Sequence, residues 1–427
     1  MRDRRKVLIS LLLRALGAFT LGNVLLLYVP VSLFWLGLVA ALAGAALLLS
    51  PSRLLPLAVS LGMTTLVLEL VVRLGVGGLT PYYRPHERLA LETSYRPRQH
   101  VEMAVPHGDL LAIDPSLPRS LATPRREVFI TDSFGYRNQQ DYGGERLVLI
   151  GDSFLVGTDT TLAGYLRTGL ATPAYNLSFA SIGPLIYTDK LRWARQQLPN
   201  DTCIALYFFE GNDFQFVDSA ELARRQAVPR GVQLAVKNYV QAVRGSSEWS
   251  KTFFGLTTRA AEAFRRSRPP SDQPSAPPRD LTFIRTVQGM PIAFLKGYAD
   301  VVRRPSFDDH GFISSQLSAE PPDMVFFIPD KFRVYGSLVD QDAEPHLPHA
   351  QWKYLQNATG ALGIPAVDLT PYLIERSRKL AASGETTFWP DDTHWNRHGE
   401  TVAAEVLMAT LASATSPRCA SIVTSTR

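Results

Sequence analysis

Leu147-Val148-Leu149-Ile150 runs without interruption into Gly151-Asp152-Ser153. The apolar run is too short for a helix and lacks the alternation of a half-exposed strand, so it is predicted to be a strand covered on both faces. Similar strand candidates stand at 146–151, 173–177, 203–209, 324–328 and 364–368, and helical patterns fall around 161–170, 186–197, 348–361 and 398–412. Buried strands alternating with helices predict an α/β fold, with a central parallel sheet between helical layers. Sheets of this kind present functional groups at the carboxyl ends of their strands. Gly151-Asp152-Ser153, the Asn176 segment and Gly211-Asn212-Asp213 each follow a strand candidate.

The first eighty of the 427 residues differ in kind. Residues 7–28, 31–50 and 54–76 are strongly apolar, and each is about long enough to cross a hydrocarbon core of ~30 Å as a helix. Arg2, Arg4, Arg5 and Lys6 precede the first stretch, and Arg53 lies between the second and third. Positive charge on the cytoplasmic side then predicts three spans over 1–79 in a bacterial inner membrane, with the N-terminus cytoplasmic and the remainder periplasmic or extracellular. Residues 80–125, rich in Pro, Arg and His, are expected to be a linker. A domain is expected over 126–415, beginning near Val128-Phe129-Ile130 and interrupted by an insertion at 215–320 that caps the site. Residues 416–427 are expected to be an unstructured tail.

Lysines and arginines number 44 against 39 acids, a net charge of +5 without a dense basic stripe, so nucleic acid is not an expected partner. Two cysteines, Cys203 and Cys419, make neither a disulfide framework nor a metal site. Cys203, inside an apolar run, reads as a buried thiol, and its pairing with Cys419 depends on geometry.

Ser153, on a turn between strand and helix, can expose its hydroxyl and turn its own N–H toward an oxyanion. His394, in Pro390-Asp391-Asp392-Thr393-His394, is a candidate base with carboxylates two and three residues before it. Asn212 can donate from its amide to a developing oxyanion. Each has an ordinary structural alternative: a strand-end turn for the Gly-Asp-Ser and Gly-Asn-Asp segments, and helix capping for the aspartates, a role for which Asn396 is better placed. A metal reading of Asp392, His394 and His398 finds no supporting ligand cluster, and no metal or cofactor is expected.

Taken in order, Gly151-Asp152-Ser153, the segment Asn176-Leu177-Ser178-Phe179-Ala180-Ser181-Ile182-Gly183, Gly211-Asn212-Asp213 and Asp392-Thr393-His394 resemble the four blocks of the SGNH (GDSL-like) hydrolase superfamily. The resemblance covers about 125–412 apart from the insertion. It implies an SGNH-type α/β/α domain with Ser153 as nucleophile and His394 as base. The implied oxyanion hole is made by the Ser153 N–H, the Ser181 N–H (or that of Gly183 if the turn is shifted) and Asn212. Ser178 and Ser181 stand where the superfamily usually has glycines. Asp392-Thr393-His394-Trp395 is similar to the SGNH-like domains of bacterial polysaccharide O-acetylation proteins of the alginate type, which selects Asp392 as the acid. Members with a carboxylate three residues before the histidine would select Asp391. Phe327-Ile328-Pro329-Asp330-Lys331 through Tyr335 also resembles a segment of membrane-associated members. The resemblance implies a serine O-acetyltransferase or O-acetylesterase acting on a cell-surface or exported polysaccharide, with an integral-membrane acyl-donating protein as a partner. A silent carbohydrate-binding or scaffold subunit is the competing expectation.

Overall fold

A computed structural model describes residues 60, 63–70, 95, 97–157, 161–169, 172–180, 183–214 and 281–424. The chain divides into two compact units, Met1–Leu91 with Ala223–Ser275, and Glu92–Leu222 with Ala276–Arg427. The expectation of three membrane spans is corrected here: no helix among the described residues is long and apolar enough to cross a membrane. Stretches 7–28 and 31–50 lie outside the described residues. Of 54–76, residue 60 and 63–70 are described as helical. The inner-membrane and periplasmic assignment built on those spans falls with them.

In the second unit, β1 (His100–Val105) and β2 (Arg125–Ile130) form an antiparallel ladder. Five parallel strands make the main sheet: β3 (Leu147–Ile150), β4 (Ala174–Asn176), β5 (Cys203–Phe209), β8 (Met324–Ile328) and β9 (Ala366–Asp368), in the order β4-β3-β5-β8-β9. A hairpin of β6 (Thr282–Val287) and β7 (Met290–Leu295) stands apart from it. The helices, in chain order, are α1 (Asp109–Ile113), α2 (Ser153–Val156), α3 (Leu162–Gly169), α4 (Pro184–Gln197), α5 (Lys296–Val302), α6 (Phe312–Ala319), α7 (Lys331–Tyr335), α8 (Ala350–Ala361), α9 (Thr370–Ala381), α10 (Arg397–Ala412) and α11 (Pro417–Thr424).

The sheet is buried on both faces because side chains alternate along each strand. Leu147, Leu149, Ala205, Tyr207, Phe209, Phe326 and Ile328 enter one apolar cluster with α3, α9 and α10. Val148, Ile150, Ile204, Leu206, Phe208, Val325 and Phe327 enter a second with α4, α6 and α8. This accounts for strands that read as unbroken apolar runs, and each fully buried large side chain contributes about 1.5–3 kcal/mol. The central parallel sheet of the expected α/β/α domain is thus present. Numbered within the sheet, the order is 2-1-3-4-5, so the chain reverses direction between β3 and β5, where such sheets open a crevice at their carboxyl edge.

Four other expectations change. Residues 97–125 are not a linker: Leu110, Leu111, Leu117 and Leu121 pack with Ala293 of β7, because α1 and the segment after it turn apolar side chains inward. In the stretch 215–320, residues 215–280 lie outside the described residues, whereas 281–320 forms the hairpin, α5 and α6, with Ile292, Phe294, Ala299, Val302, Ile313 and Leu317 all buried. The C-terminal segment is helical over α11, where Cys419 and Ile422 share a buried face. Cys419 is bonded to Cys203 with Cα atoms 5.0 Å apart, so the buried-thiol reading gives way to a disulfide fastening α11 to the start of β5. At the other end of β5, the carboxylate of Glu210 accepts from Arg333 of α7 at 2.6 Å, both side chains being buried, and this pair fixes the strand end just before Gly211-Asn212.

The disulfide closes a loop across 216 positions. Cys419→Ala, or a thiol reductant, is expected to lower the unfolding free energy by about 2–4 kcal/mol. Thermal melts with and without reductant check this, and superimposable melts would contradict the pairing.

Candidate active site

Asp152 lies in the turn after β3 and caps α2, its Oδ1 accepting from the Phe154 N–H at 3.0 Å, which leaves Ser153 as the first helical residue. A Cβ on Gly151 would lie 2.8 Å from the Leu155 Cδ1 and 3.2 Å from the Tyr207 Cβ, so a side chain there would have to displace buried neighbours. The strand-to-helix turn thus places Ser153 just beyond the carboxyl end of β3.

His394 arrives from the other end of the chain. Its Nε2 lies 2.8 Å from Ser153 Oγ, and its Nδ1 lies 2.7 Å from Asp392 Oδ1. The same carboxylate oxygen accepts from the His394 N–H at 3.1 Å. Trp395, next in sequence, is fully buried and donates its indole N–H to Phe154 O at 3.1 Å, tying the histidine loop to the helix that carries Ser153. Asn396 caps α10 by accepting from the His398 N–H at 2.9 Å. His398 itself lies 3.6 Å from Glu385 and does not join Asp392 and His394.

The two aspartates before His394 have different partners. Asp391 Oδ2 accepts from the N–H groups of Gly108 at 2.7 Å and Thr123 at 2.9 Å, whereas Asp392 Oδ1 is the oxygen beside the imidazole. Asp392 Oδ2 accepts from Arg125 Nη2 at 2.8 Å and from the Asp109 N–H at 3.2 Å. Gly108 is required by close approach, since a Cβ there would lie 2.6 Å from the Asp392 Cβ. Lys331, buried at the start of α7, donates through Nζ to Trp389 O (2.7 Å), Pro390 O (3.0 Å) and Asp392 O (3.0 Å). Burial pushes its ammonium down to about 8 against the pull of the surrounding acids.

Sequence reasoning marked Lys331 only as part of a resembling segment and did not mark Asp109 or Arg125. The latter two lie in the stretch taken for a linker. The usable signal was the alternation Val101, Met103, Val105, which marks β1 and hence a folded segment.

Electrostatics follow from this packing. Burial opposes the charged imidazole of His394, but its hydrogen bond to Asp392 and the charges of Asp392 and Asp109 outweigh that and raise it to about 9. For Asp392 burial works upward, yet His394 and Arg125 hold the carboxyl well below its usual range. Burial, then the Asp392 charge, pushes Asp109 up to about 6.

On the opposite wall of the crevice Asn212 follows β5, and its Nδ2 reaches Asp152 Oδ2 at 3.4 Å. Tyr298 of α5 rests on that turn, because a Cβ on Gly211 would lie 2.8 Å from the Tyr298 Cγ. Asp213 accepts from Tyr187 Oη and from the Phe209 N–H, both at 2.8 Å, and so braces the turn. In the second block, Asn176 Oδ1 accepts from the Ser178 N–H at 2.9 Å, and Gly183 is the residue before α4. Ser181 lies outside the described residues.

The arrangement brings Ser153, His394 and Asp392 into one hydrogen-bonded chain, with Asn212 beside Asp152 at the same crevice. Such a chain can move a proton from a hydroxyl to an imidazole whose tautomer is fixed by a carboxylate. Among the described residues Asp109, Asp392 and His394 also place three ligand-type atoms close together. Asp392 is hydrogen-bonded to His394 and Arg125, and the Asp109 carboxylate to Thr393, which favours a polar network over a cation site.

Residues 321–423 match the family model described as the SGNH hydrolase-like domain of the acetyltransferase AlgX. The matched span contains Asp391, Asp392 and His394; Ser153 and Asn212 precede it. No curated protein and no solved structure gives a significant match to the chain. Residues 321–423 are therefore similar to an SGNH hydrolase-like domain, a hydrolase or acyltransferase type.

Because His394 is raised in the folded protein, its stabilising contribution is complete below the ordinary histidine value of 6.5 and is lost as pH rises through about 9. Histidine NMR is expected to give a His394 midpoint near 9. In Asp392→Asn, which removes the largest upward influence, the midpoint should drop toward or below 6.5; an unmoved midpoint would contradict the pairing.

Proposed function

We propose that this protein is an SGNH-type serine enzyme that moves O-acetyl groups on a polysaccharide through an acyl-Ser153 intermediate. The observation that carries this reading is the unbroken chain Ser153 Oγ–His394 Nε2 and His394 Nδ1–Asp392 Oδ1, at 2.8 and 2.7 Å. The acetyl group and the carbohydrate come from the family description and from the similarity of Asp392-Thr393-His394-Trp395 to polysaccharide O-acetylation proteins.

In the proposed reaction His394 Nε2 takes the Ser153 proton as Oγ bonds to the ester carbonyl carbon. Negative charge gathers on the carbonyl oxygen, where the Ser153 N–H and the Asn212 amide are the available donors, a contribution of about 3 kcal/mol for one such donor. Asp392, charge-paired with Arg125, holds the imidazolium in place. His394 then returns the proton to the departing alcohol oxygen as its bond to the carbonyl carbon breaks. An acceptor hydroxyl, from a sugar in transfer or from water in hydrolysis, repeats the cycle in reverse and frees Ser153. The third oxyanion donor in this proposal is the Ser181 N–H, with Gly183 as its alternative, and Asp391 serves as a brace for residues 108–123.

The test is turnover of small acetyl esters by the full chain, with and without an oligosaccharide acceptor. Wild type is expected to turn over, with Ser153→Ala at least about 1,000-fold slower and Asp392→Asn strongly impaired. An acetylated oligosaccharide formed only with acceptor present would identify transfer. Equal inactivity of wild type and Ser153→Ala across a broad ester panel, with glycan binding retained, would replace this reading with the silent scaffold.

A further inference from the structure

We infer that Asp109 is a positioning residue for His394, a second carboxylate that α1 brings to the Nδ1 edge of the imidazole. The inference rests on the acyl-transfer reading above and adds a residue to it that no motif in the sequence marks. Asp109 Oδ1 accepts from the Thr393 N–H at 2.8 Å, and Oδ2 accepts from the Thr393 hydroxyl at 2.5 Å. Thr393 is the residue between acid and base, and its Oγ1 lies 3.3 Å from His394 Nδ1. Asp109 Oδ2 itself lies 3.8 Å from that nitrogen, and the Asp109 N–H donates to Asp392 Oδ2 at 3.2 Å. One residue from the N-terminal side of the domain therefore touches all three members of the Asp392-Thr393-His394 segment.

The charges around the imidazole give this contact a purpose. Asp392 faces His394 from its own loop, Asp109 from α1 and Asp152 from the turn after β3, while the Phe154 ring lies 5.0 Å away on α2. Of the nearby cations, Arg125 pairs with Asp392, and Lys331 holds the loop carbonyls. Arg125 thus offsets much of the negative charge that Asp392 presents. Among the described residues no Lys or Arg is within ion-pair distance of Asp109, and its charge is felt by the His394 imidazolium and by the Lys331 ammonium. When the Ser153 proton reaches His394, Asp109 stabilises the resulting cation and holds Thr393 so that the ring cannot swing away from Ser153.

The experiment compares wild type, Asp109→Asn and Asp109→Glu in the full chain. It uses histidine NMR titration, with the His394 signal identified by its loss in His394→Gln, and ester turnover as a function of pH. Asp109→Asn is expected to lower the His394 midpoint by about 1 in pH and to move the acid limb of the rate profile down by the same amount. The plateau rate should fall about tenfold, and Asp109→Glu should restore the midpoint. If Asp109→Asn misfolds, Thr393→Val, which removes one tether of Asp109, is expected to lower the midpoint in the same direction by a smaller amount. A midpoint and acid limb unchanged in Asp109→Asn would overturn the inference even if the plateau fell, since a structural contact lowers rate without moving the titration. Absence of Ser153-dependent turnover in wild type would instead remove the acyl-transfer reading, and the NMR midpoint would still decide whether Asp109 acts on His394.

Discussion

Two adjacent carboxylates, Asp391 and Asp392, are buried on one loop, and the site depends on how their charge is met. A buried carboxylate without donors costs several kcal/mol. Here the donors come from a segment that precedes the sheet: the N–H groups of Gly108, Asp109 and Thr123, and the guanidinium of Arg125. Lys331 adds a third constraint by gathering the carbonyls of Trp389, Pro390 and Asp392 around its ammonium. Asp391 fastens the N-terminal segment, and Asp392 is left with one oxygen for Arg125 and the other for His394. The orientation of the imidazole is thus a consequence of charge satisfaction in a loop that could not otherwise be buried.

The sheet supplies the other half of the geometry. Strand order reverses between β3 and β5, so the turn bearing Ser153 and the turn bearing Asn212 face one crevice although about sixty residues separate them. The Glu210–Arg333 pair fixes the end of β5, and Arg333 shares α7 with Lys331. The same short helix therefore holds both the Asn212 turn and the histidine loop. Trp395 completes the link by bonding the histidine loop to the backbone of α2.

Strands β3, β5 and β8 were legible in the sequence because burial on both faces removes polar alternation and leaves unbroken apolar runs, whereas β4 and β9 are three residues each and β9 is only half-buried. Ser153 and Asn212 were legible because glycine-containing turns directly follow such runs. The segment 97–125 was not, since β1 exposes one face, its neighbours are rich in proline and arginine, and the contacts of Gly108 and Asp109 lie 283 positions away. No local pattern encodes a partner at that distance. The pairing of Cys203 with Cys419 was hidden for the same reason, and the helix of the last residues was hidden by a short sequence whose buried residues, among those described, are Cys419 and Ile422. Apolar length in the first eighty residues suggested membrane spans, and no described helix carries that reading.

The central claim is that Ser153 is a nucleophile activated by His394. Labelling the full chain with an acyl-mimicking fluorophosphonate, followed by peptide mass spectrometry, tests it most directly. A single modified site, Ser153, is expected, formed at a rate that collapses in His394→Ala. Modification elsewhere, none at all, or labelling of Ser153 that is indifferent to His394 would contradict it.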